Sequence, residues 1–315
     1  MDNSFASMTL CSAADDKYEL GIRVALFSAL ERLRDTAARV VIFDAGLREP
    51  DALQRSLARH RHCAHCEVLC VDGEPFRHFP RQGRYGIAAY LRLVVPSILE
   101  GVDRLIYLDA DVMVRSDLSL LWNEPMSGAA VGAVRDFGLA TLSTGLPYAV
   151  DKLGAPPDAP YFNSGVMLID VSAWRAADFT TRTLDYLRDH GDVTRYADQD
   201  ALNAVGVGAI HELAPVWNVQ VLQMRNPVVP AVASQARAIK RTARIIHFTG
   251  VKPWDVDGVK PSVWSISLHL EYARTARMSL PPRTVAQSTI DVLKWCGLFA
   301  RRVVFAAKRR IATPS

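Results

Sequence analysis

Leu105-Ile106-Tyr107-Leu108-Asp109-Ala110-Asp111-Val112-Met113-Val114 is the stretch on which the reading of the fold turns. Its apolar run reads as a buried strand of an α/β sheet. Side chains repeat every two residues along a strand, so Asp109 and Asp111 are expected to point the same way at its end. Two carboxylates on one side at the carboxyl edge of a sheet repel each other unless a cation lies between them, and a divalent metal is the natural occupant. Taken alone, an Asp-x-Asp is more commonly a pair of turn-capping residues. Its surroundings have to decide.

Upstream, short β-like runs alternate with helical patterns, the signature of strands joined by crossover helices in a mostly parallel sheet. Strands are expected at 8–12, 40–43, 67–71 and 104–108, and helices at 21–33, 50–58 and 87–99. The first helix reads as amphipathic, through Ile22, Ala25, Leu26, Ala29, Leu30 and Leu33. Four strands in about a hundred residues make a Rossmann-like nucleotide-binding half. After Asp111 the periodicity is less regular, with strands expected at 130–134, 165–169 and 244–248. Pro156-Pro157-Asp158-Ala159-Pro160 reads as a loop and Pro281-Pro282 as a hinge.

The whole chain of 315 residues is half hydrophobic and 22% charged, with 18 Gly and 17 Pro, which excludes disorder, collagen and a coiled coil. No stretch reaches the roughly 18 to 20 uninterrupted apolar residues that cross a bilayer. The start, Met1-Asp2-Asn3-Ser4-Phe5, lacks the basic region of a signal peptide, so a cytoplasmic protein is expected. The net charge of +4 is unevenly placed. Residues 271–315 carry nine Lys and Arg against two Asp and Glu, whereas the remainder carries 28 against 31. That asymmetry points the tail at an anionic partner, a membrane surface or nucleic acid.

The imidazole that would complete a metal site is available. Arg244-Ile245-Ile246-His247-Phe248-Thr249-Gly250 reads as a strand that releases His247 at its end, with Lys252, Pro253 and Trp254 following. A carboxylate pair favours Mg²⁺ or Mn²⁺, and an added imidazole shifts the preference toward Mn²⁺. Gly250 lets a backbone approach a diphosphate, and Lys252 supplies charge.

Five motifs in register resemble glycosyltransferase family 8, and in particular its bacterial lipooligosaccharide galactosyl- and glucosyltransferases. They are Asp15-Asp16-Lys17-Tyr18, Tyr107-Leu108-Asp109-Ala110-Asp111, Tyr161-Phe162-Asn163-Ser164-Gly165, Asp198-Gln199-Asp200 with Asn203, and His247-Phe248-Thr249-Gly250 with Lys252-Pro253-Trp254. The resemblance spans about residues 8–265. It implies the GT-A fold with a mixed central sheet, Mn²⁺ (Mg²⁺ as the alternative), a UDP-sugar donor and transfer that retains the anomeric configuration. By the same resemblance Asp109, Asp111 and His247 hold the metal, while Ala13, Asp15, Lys17 and Tyr18 meet the uridine, with Tyr18 on the base. Arg92 and Ala110 fall on the donor, Gly250 and Lys252 on the diphosphate. Asp136, Asn163, Ser164 and Asp198 surround the transferring sugar, and Gln199 lies nearest the reacting carbon. Lys17 stands where relatives often have Asn, and Ala88 and Ala89 replace hydroxyl residues, departures that leave the donor sugar (galactose or glucose) and the saccharide or glycolipid acceptor open.

Two enzyme-free or neighbouring readings compete. A sugar-phosphate nucleotidyltransferase would open with a Gly-rich basic loop, where this chain has Ala13-Ala14-Asp15-Asp16. A catalytically silent carbohydrate binder of the same fold is opposed by the intact Asp109, Asp111, Gln199, His247 and Lys252.

Cys63, Cys66 and Cys70, close to His60, His62 and His65, offer zinc-like spacing but lack a second half-site, so Cys66, Val68 and Cys70 are expected as the buried face of a strand. Five cysteines without regular spacing argue against a disulfide framework. The tail from Ile290 to Ile311 winds as a basic amphipathic helix, with Val292, Trp295, Phe299, Val303 and Ala306 on one stripe. That pattern fits a helix lying in an anionic membrane interface better than one reading nucleic acid. The expected organisation is a catalytic domain over 1–270 and a membrane-associating tail over 271–315.

Overall fold

A computed structural model describes residues 8–76, 78–79, 86–221, 241–250, 252–254 and 263–279. The first half runs β1 (Met8–Ala14), α1 (Glu19–Arg32), β2 (Ala38–Asp44), α2 (Pro50–Ala58), β3 (Cys63–Cys70), α3 (Ile87–Ile98) and β4 (Arg104–Leu108). There follow β5 (Val112–Val114), α4 (Ser119–Trp122), β6 (Val131–Arg135), α5 (Leu142–Gly145), α6 (Pro147–Leu153) and β7 (Phe162–Asp170). Then come α7 (Val171–Ala176), α8 (Phe179–His190), α9 (Ala197–Val205), β8 (Ile210–Glu212), β9 (Val219–Gln220) and β10 (Ile245–His247), and a last helix, Val263–Ser279.

Seven strands form one mixed sheet in the order β3-β2-β1-β4-β7-β6-β8. β1 pairs parallel with β2 and β4, whereas β7 runs antiparallel to both β4 and β6. Every residue of β1 is buried, because alternate side chains enter two apolar clusters on opposite faces of the sheet, Leu10 and Ala14 into one and Cys11 and Ala13 into the other. Each fully buried Leu, Ile or Val there contributes about 1.5 to 3 kcal/mol. The chain leaves β1 toward β2 and enters β4 on its other side, so a crevice opens at the carboxyl ends of β1 and β4.

Several sequence expectations need correction. β4 ends at Leu108, so Asp109 and Asp111 stand in the turn before β5 and their convergence is not strand alternation. The 244–248 strand is the short β10, and it joins a separate sheet in the order β5-β10-β9. Helix α1 is buried on most sides, including Arg23, because the last helix and β5 pack on the side away from the large sheet.

Cys66 is buried, but Cys70 is exposed, because β3 is an edge strand covered incompletely. The cysteines of the described residues are free thiols, and among those residues the three-ligand cluster of His, Cys, Asp or Glu with metal-binding spacing is Asp109, Asp111 and His247. The last helix runs unbroken through residue 270, with Leu268, Tyr272 and Ala276 packed beside Val24, Met113 and Phe248. The Pro281-Pro282 hinge and the amphipathic tail lie outside the described residues. No described helix is long and apolar enough to cross a membrane.

Candidate active site

The turn after β4 is stitched on both sides. Asp109 donates its N–H to the Gly165 carbonyl at 2.8 Å, and Phe248 donates to the Asp111 carbonyl at 2.9 Å. These bonds tie the turn to β7 and to the residue after β10, which is how His247, far along the chain, reaches the two carboxylates. One ligand atom from each of Asp109, Asp111 and His247 lies within 4.8 Å of the others. The His247 Nε2 is 3.2 Å from Asp111 Oδ1 and 3.7 Å from Asp109 Oδ2.

The imidazole tautomer follows from the backbone. The Gly165 N–H, which can only donate, reaches Asn163 Oδ1 at 3.1 Å, and Asn218 Nδ2 donates to the same oxygen at 2.8 Å. Asn218 therefore turns Oδ1 toward His247, whose Nδ1 donates to it at 2.9 Å. With its proton on Nδ1, the ring has its Nε2 lone pair free for a cation shared with the two carboxylates, as metal-bound histidines do.

Two hard oxygens and an imidazole nitrogen suit a divalent first-row cation. The surroundings leave room for one. A Cβ at Gly165 would fall 2.3 Å from His247 Cε1 and 2.7 Å from Asp109 Oδ2, so the site is built against a bare glycine backbone. Its negative charge is balanced from both flanks: Arg92 Nη2 meets Asp109 Oδ1 at 2.7 Å, and the Lys252 ammonium bonds Asp111 Oδ2. Burial works against an ionised Asp111, but the Lys252 ammonium beside it outweighs that penalty and holds the carboxyl well below its usual range.

Arg92, on α3, is the hub of the next layer. It donates to the Ser164 carbonyl at 3.0 Å and Oγ at 2.9 Å, and its Nε lies 3.0 Å from Asp198 Oδ2. Burial opposes its charge, yet Asp109 and Asp198 raise its pKa overall. One guanidinium shared between two carboxylates leaves Asp198 undercompensated, and burial pushes that carboxyl up to about 6 in spite of Arg92. Because the folded state then holds the proton more tightly than the unfolded chain, stability falls as pH rises from about 3.8 to 6. Asp198→Asn in metal-free protein is therefore expected to melt higher than wild type at pH 7.5, with the difference closing by pH 4. A melting difference that does not depend on pH refutes this assignment.

Helix α9 starts at Ala197 with φ +40°, a left-handed conformation that costs about 1 kcal/mol or more and sends Asp198 and Gln199 to the cavity wall. Gln199 Oε1 accepts from Asn163 Nδ2 at 3.0 Å and from the Ser164 N–H at 3.2 Å, while Nε2 donates to Tyr161 Oη at 3.2 Å. Asn163 Nδ2 also reaches Asp136 Oδ2, at 3.1 Å. The amide is held in one orientation.

These groups line one cleft. At one end stand Ala13, in β1, and Asp15 and Tyr18, just past it, with Ala110. The other end is a cavity of about 770 Å³ that includes Asp136, Asn163, Ser164, Asp198, Gln199, His247 and Gly250. Tyr18, Arg92, Asp109, Asp111 and Lys252 border both. Tyr18 packs edge-on against Trp254, and the Lys252 ammonium lies 5.7 Å from its ring centre. Gly250 adopts φ +81°, which a side chain would strain. Lys17 is the exception: it is exposed and does not line the cleft, and its backbone N–H caps onto Asp15. Asn218 and Gln220 were not foreseen. Their signal was faint: two amides alternating with Trp217 and Val219 in a strand-like run.

The model of the family described as "Glycosyl transferase family 8" matches residues 9–258. The chain is 28% identical to general stress protein A of Bacillus subtilis over 265 residues, covering 81% of this chain and 90% of that protein. It is 32% identical to a lipopolysaccharide 1,2-glucosyltransferase of Escherichia coli K12 over 187 residues, covering 58% of this chain and 54% of the relative. Among solved structures it superposes on the galactosyltransferase LgtC in complex with donor and acceptor sugar analogs, with a TM-score of 0.70 and 26% identity over 88% of this chain and 99% of that one. A family match over most of the chain, and a metal-suited triad at the crevice where this fold binds nucleotides, lead to one conclusion: the protein belongs to glycosyltransferase family 8 and is a transferase of GT-A fold.

Proposed function

We propose that this enzyme transfers galactose or glucose, with retention, from a UDP-sugar to a saccharide acceptor, the core of a lipopolysaccharide, using Mn²⁺. The observation that carries the reading is the convergence of Asp109, Asp111 and His247 on one point midway along a cleft. A cleft with a nucleoside-sized end at Tyr18 and a wide, polar end at Gln199 matches a ligand in which a diphosphate joins a base to a sugar. The names of the lipopolysaccharide glucosyl- and galactosyltransferase relatives support the sugar and acceptor classes.

Asp109, Asp111 and His247 would hold the Mn²⁺, which when bound would supply Lewis-acid stabilisation to a departing diphosphate. The rest falls to the chain's own side chains. Lys252 turns its ammonium from Asp111 to the diphosphate oxygens as negative charge builds there. Asp15 receives the ribose and Tyr18 the base. Arg92, with Ser164 and Asp198, fixes the transferring sugar, and Asp136 and Asn163 hold its outer hydroxyls. Gln199, whose neutral amide oxygen is a poor nucleophile, lies along the face on which the acceptor enters and stabilises positive charge at the anomeric carbon, so attack comes from the side UDP leaves.

UDP release from UDP-galactose and UDP-glucose, measured with simple galactosides as acceptors, tests the reading. One donor is expected to turn over strongly, with the rate falling to background on chelation and recovering with Mn²⁺. Absence of UDP release from both donors would sink it. We place the protein on the cytoplasmic face of the membrane through its basic tail. A chain truncated after Pro282 should then lose flotation with anionic vesicles, and unaltered flotation would return the tail to the body.

A further inference from the structure

Among the described residues, six buried side-chain polar atoms lack a hydrogen-bond partner, and two of them, Gln220 Nε2 and Thr249 Oγ1, belong to residues that line the cavity. Native proteins rarely leave such atoms unpaired, because the loss of water is not repaid. Here the two flank the same imidazole. Gln220 sits opposite His247 in the parallel pairing of β9 with β10, and Thr249 follows His247 by two residues. Gln220 as a whole is only 3% exposed.

The two walls of the cavity differ in the same respect. On the wall built from α3, β7 and α9, Arg92, Asn163, Ser164, Asp198 and Gln199 bond to one another. The opposing wall, from β9, β10 and the residues after it, carries the unmatched pair. Neither atom borders the nucleoside end of the cleft. The cations suited to phosphate oxygens, Arg92 and Lys252, lie at the junction of the two ends.

We propose that Gln220 and Thr249 form a subsite for a hydroxyl group of the acceptor sugar, a step that rests on the glycosyltransferase reading above. An amide N–H only donates, and a threonine hydroxyl donates or accepts. A sugar hydroxyl accepts from the first and exchanges a hydrogen bond with the second, completing both, whereas phosphate oxygens meet the Arg92 and Lys252 cations at the junction of the two ends. The pair discriminates between acceptors by the configuration of that hydroxyl, because an analogue without it leaves two buried groups unpaired.

The test compares Gln220→Met and Thr249→Val with wild type, two replacements that keep volume and remove the polar atom. The probes are methyl β-galactoside as acceptor and UDP with Mn²⁺ for the donor end. Each substitution is expected to raise the acceptor KM by about tenfold, while the calorimetric Kd for UDP with Mn²⁺ stays within about twofold and the melting temperature does not fall. An unchanged acceptor KM overturns the subsite. So does a parallel loss of UDP affinity, which would assign the pair to the donor. Wild type that binds UDP with Mn²⁺ yet transfers to no sugar would instead count against the glycosyltransferase reading.

Discussion

Asp111→Asn is expected to cut sugar transfer by about a thousandfold or more, the scale on which loss of metal-centred charge stabilisation is felt in a rate. Asparagine keeps the shape and the backbone contact to Phe248 but removes the charge that meets His247 on one side and Lys252 on the other. Asp109 alone, already engaged by Arg92, is left to hold the cation with the imidazole. The metal-free protein should also lose roughly 1 to 3 kcal/mol, because the half-buried Lys252 ammonium loses its partner. Chemical denaturation of apo protein and calorimetric Mn²⁺ titration separate the two effects. Mn²⁺ affinity within a few fold of wild type would remove Asp111 from the metal site.

Gly165→Ala adds a single methyl group and touches no ligand atom in sequence, yet it should be almost as damaging. The new carbon would sit 2.3 Å from the His247 ring and 2.7 Å from an Asp109 oxygen, well inside contact distance. Neither neighbour yields easily. His247 is bonded to Asn218, and Asp109 is fixed through its own N–H to the carbonyl of Gly165 itself. The strand must bulge or the imidazole must rotate off its partner, and both disturb the Gly165 N–H that sets the tautomer. We expect a loss of about 2 kcal/mol in stability, the cost of overpacking, and Mn²⁺ affinity down by about a hundredfold, the upper range for lost ligand orientation. A crystal structure of the variant with His247 unmoved and Mn²⁺ binding intact would contradict it.

Much of this was legible from residue order. The strand and helix alternation through residue 108 follows local hydrophobic periodicity, and α2 and α3 fall where that periodicity put them, with α3 ending one residue short of expectation at Ile98. The Asp109 and Asp111 pair was recognised for an incomplete reason. Alternation along a strand predicted convergence, but the strand ends at Leu108 and a turn pinned by β7 and β10 does the converging. Helix α1 was read as amphipathic because its outer cover, the last helix, lies more than two hundred residues later in the chain. Cys70 was placed in the interior on strand parity alone, which carries no information about whether a strand is an edge.

What the amino-acid order determined by itself was the set of chemical groups and some of the local elements that carry them: a carboxylate pair past a buried strand and an imidazole at the end of another. Those features depend on neighbours within a turn or two, and short-range periodicity records them. Tertiary structure alone decided which groups neutralise the carboxylates, which nitrogen of His247 is free, why residue 165 has to be glycine, and which buried donors wait for a ligand. Each of those depends on atoms brought within about 3 Å from segments tens to hundreds of residues apart, and hydrogen bonds acting over that range leave no period in the sequence.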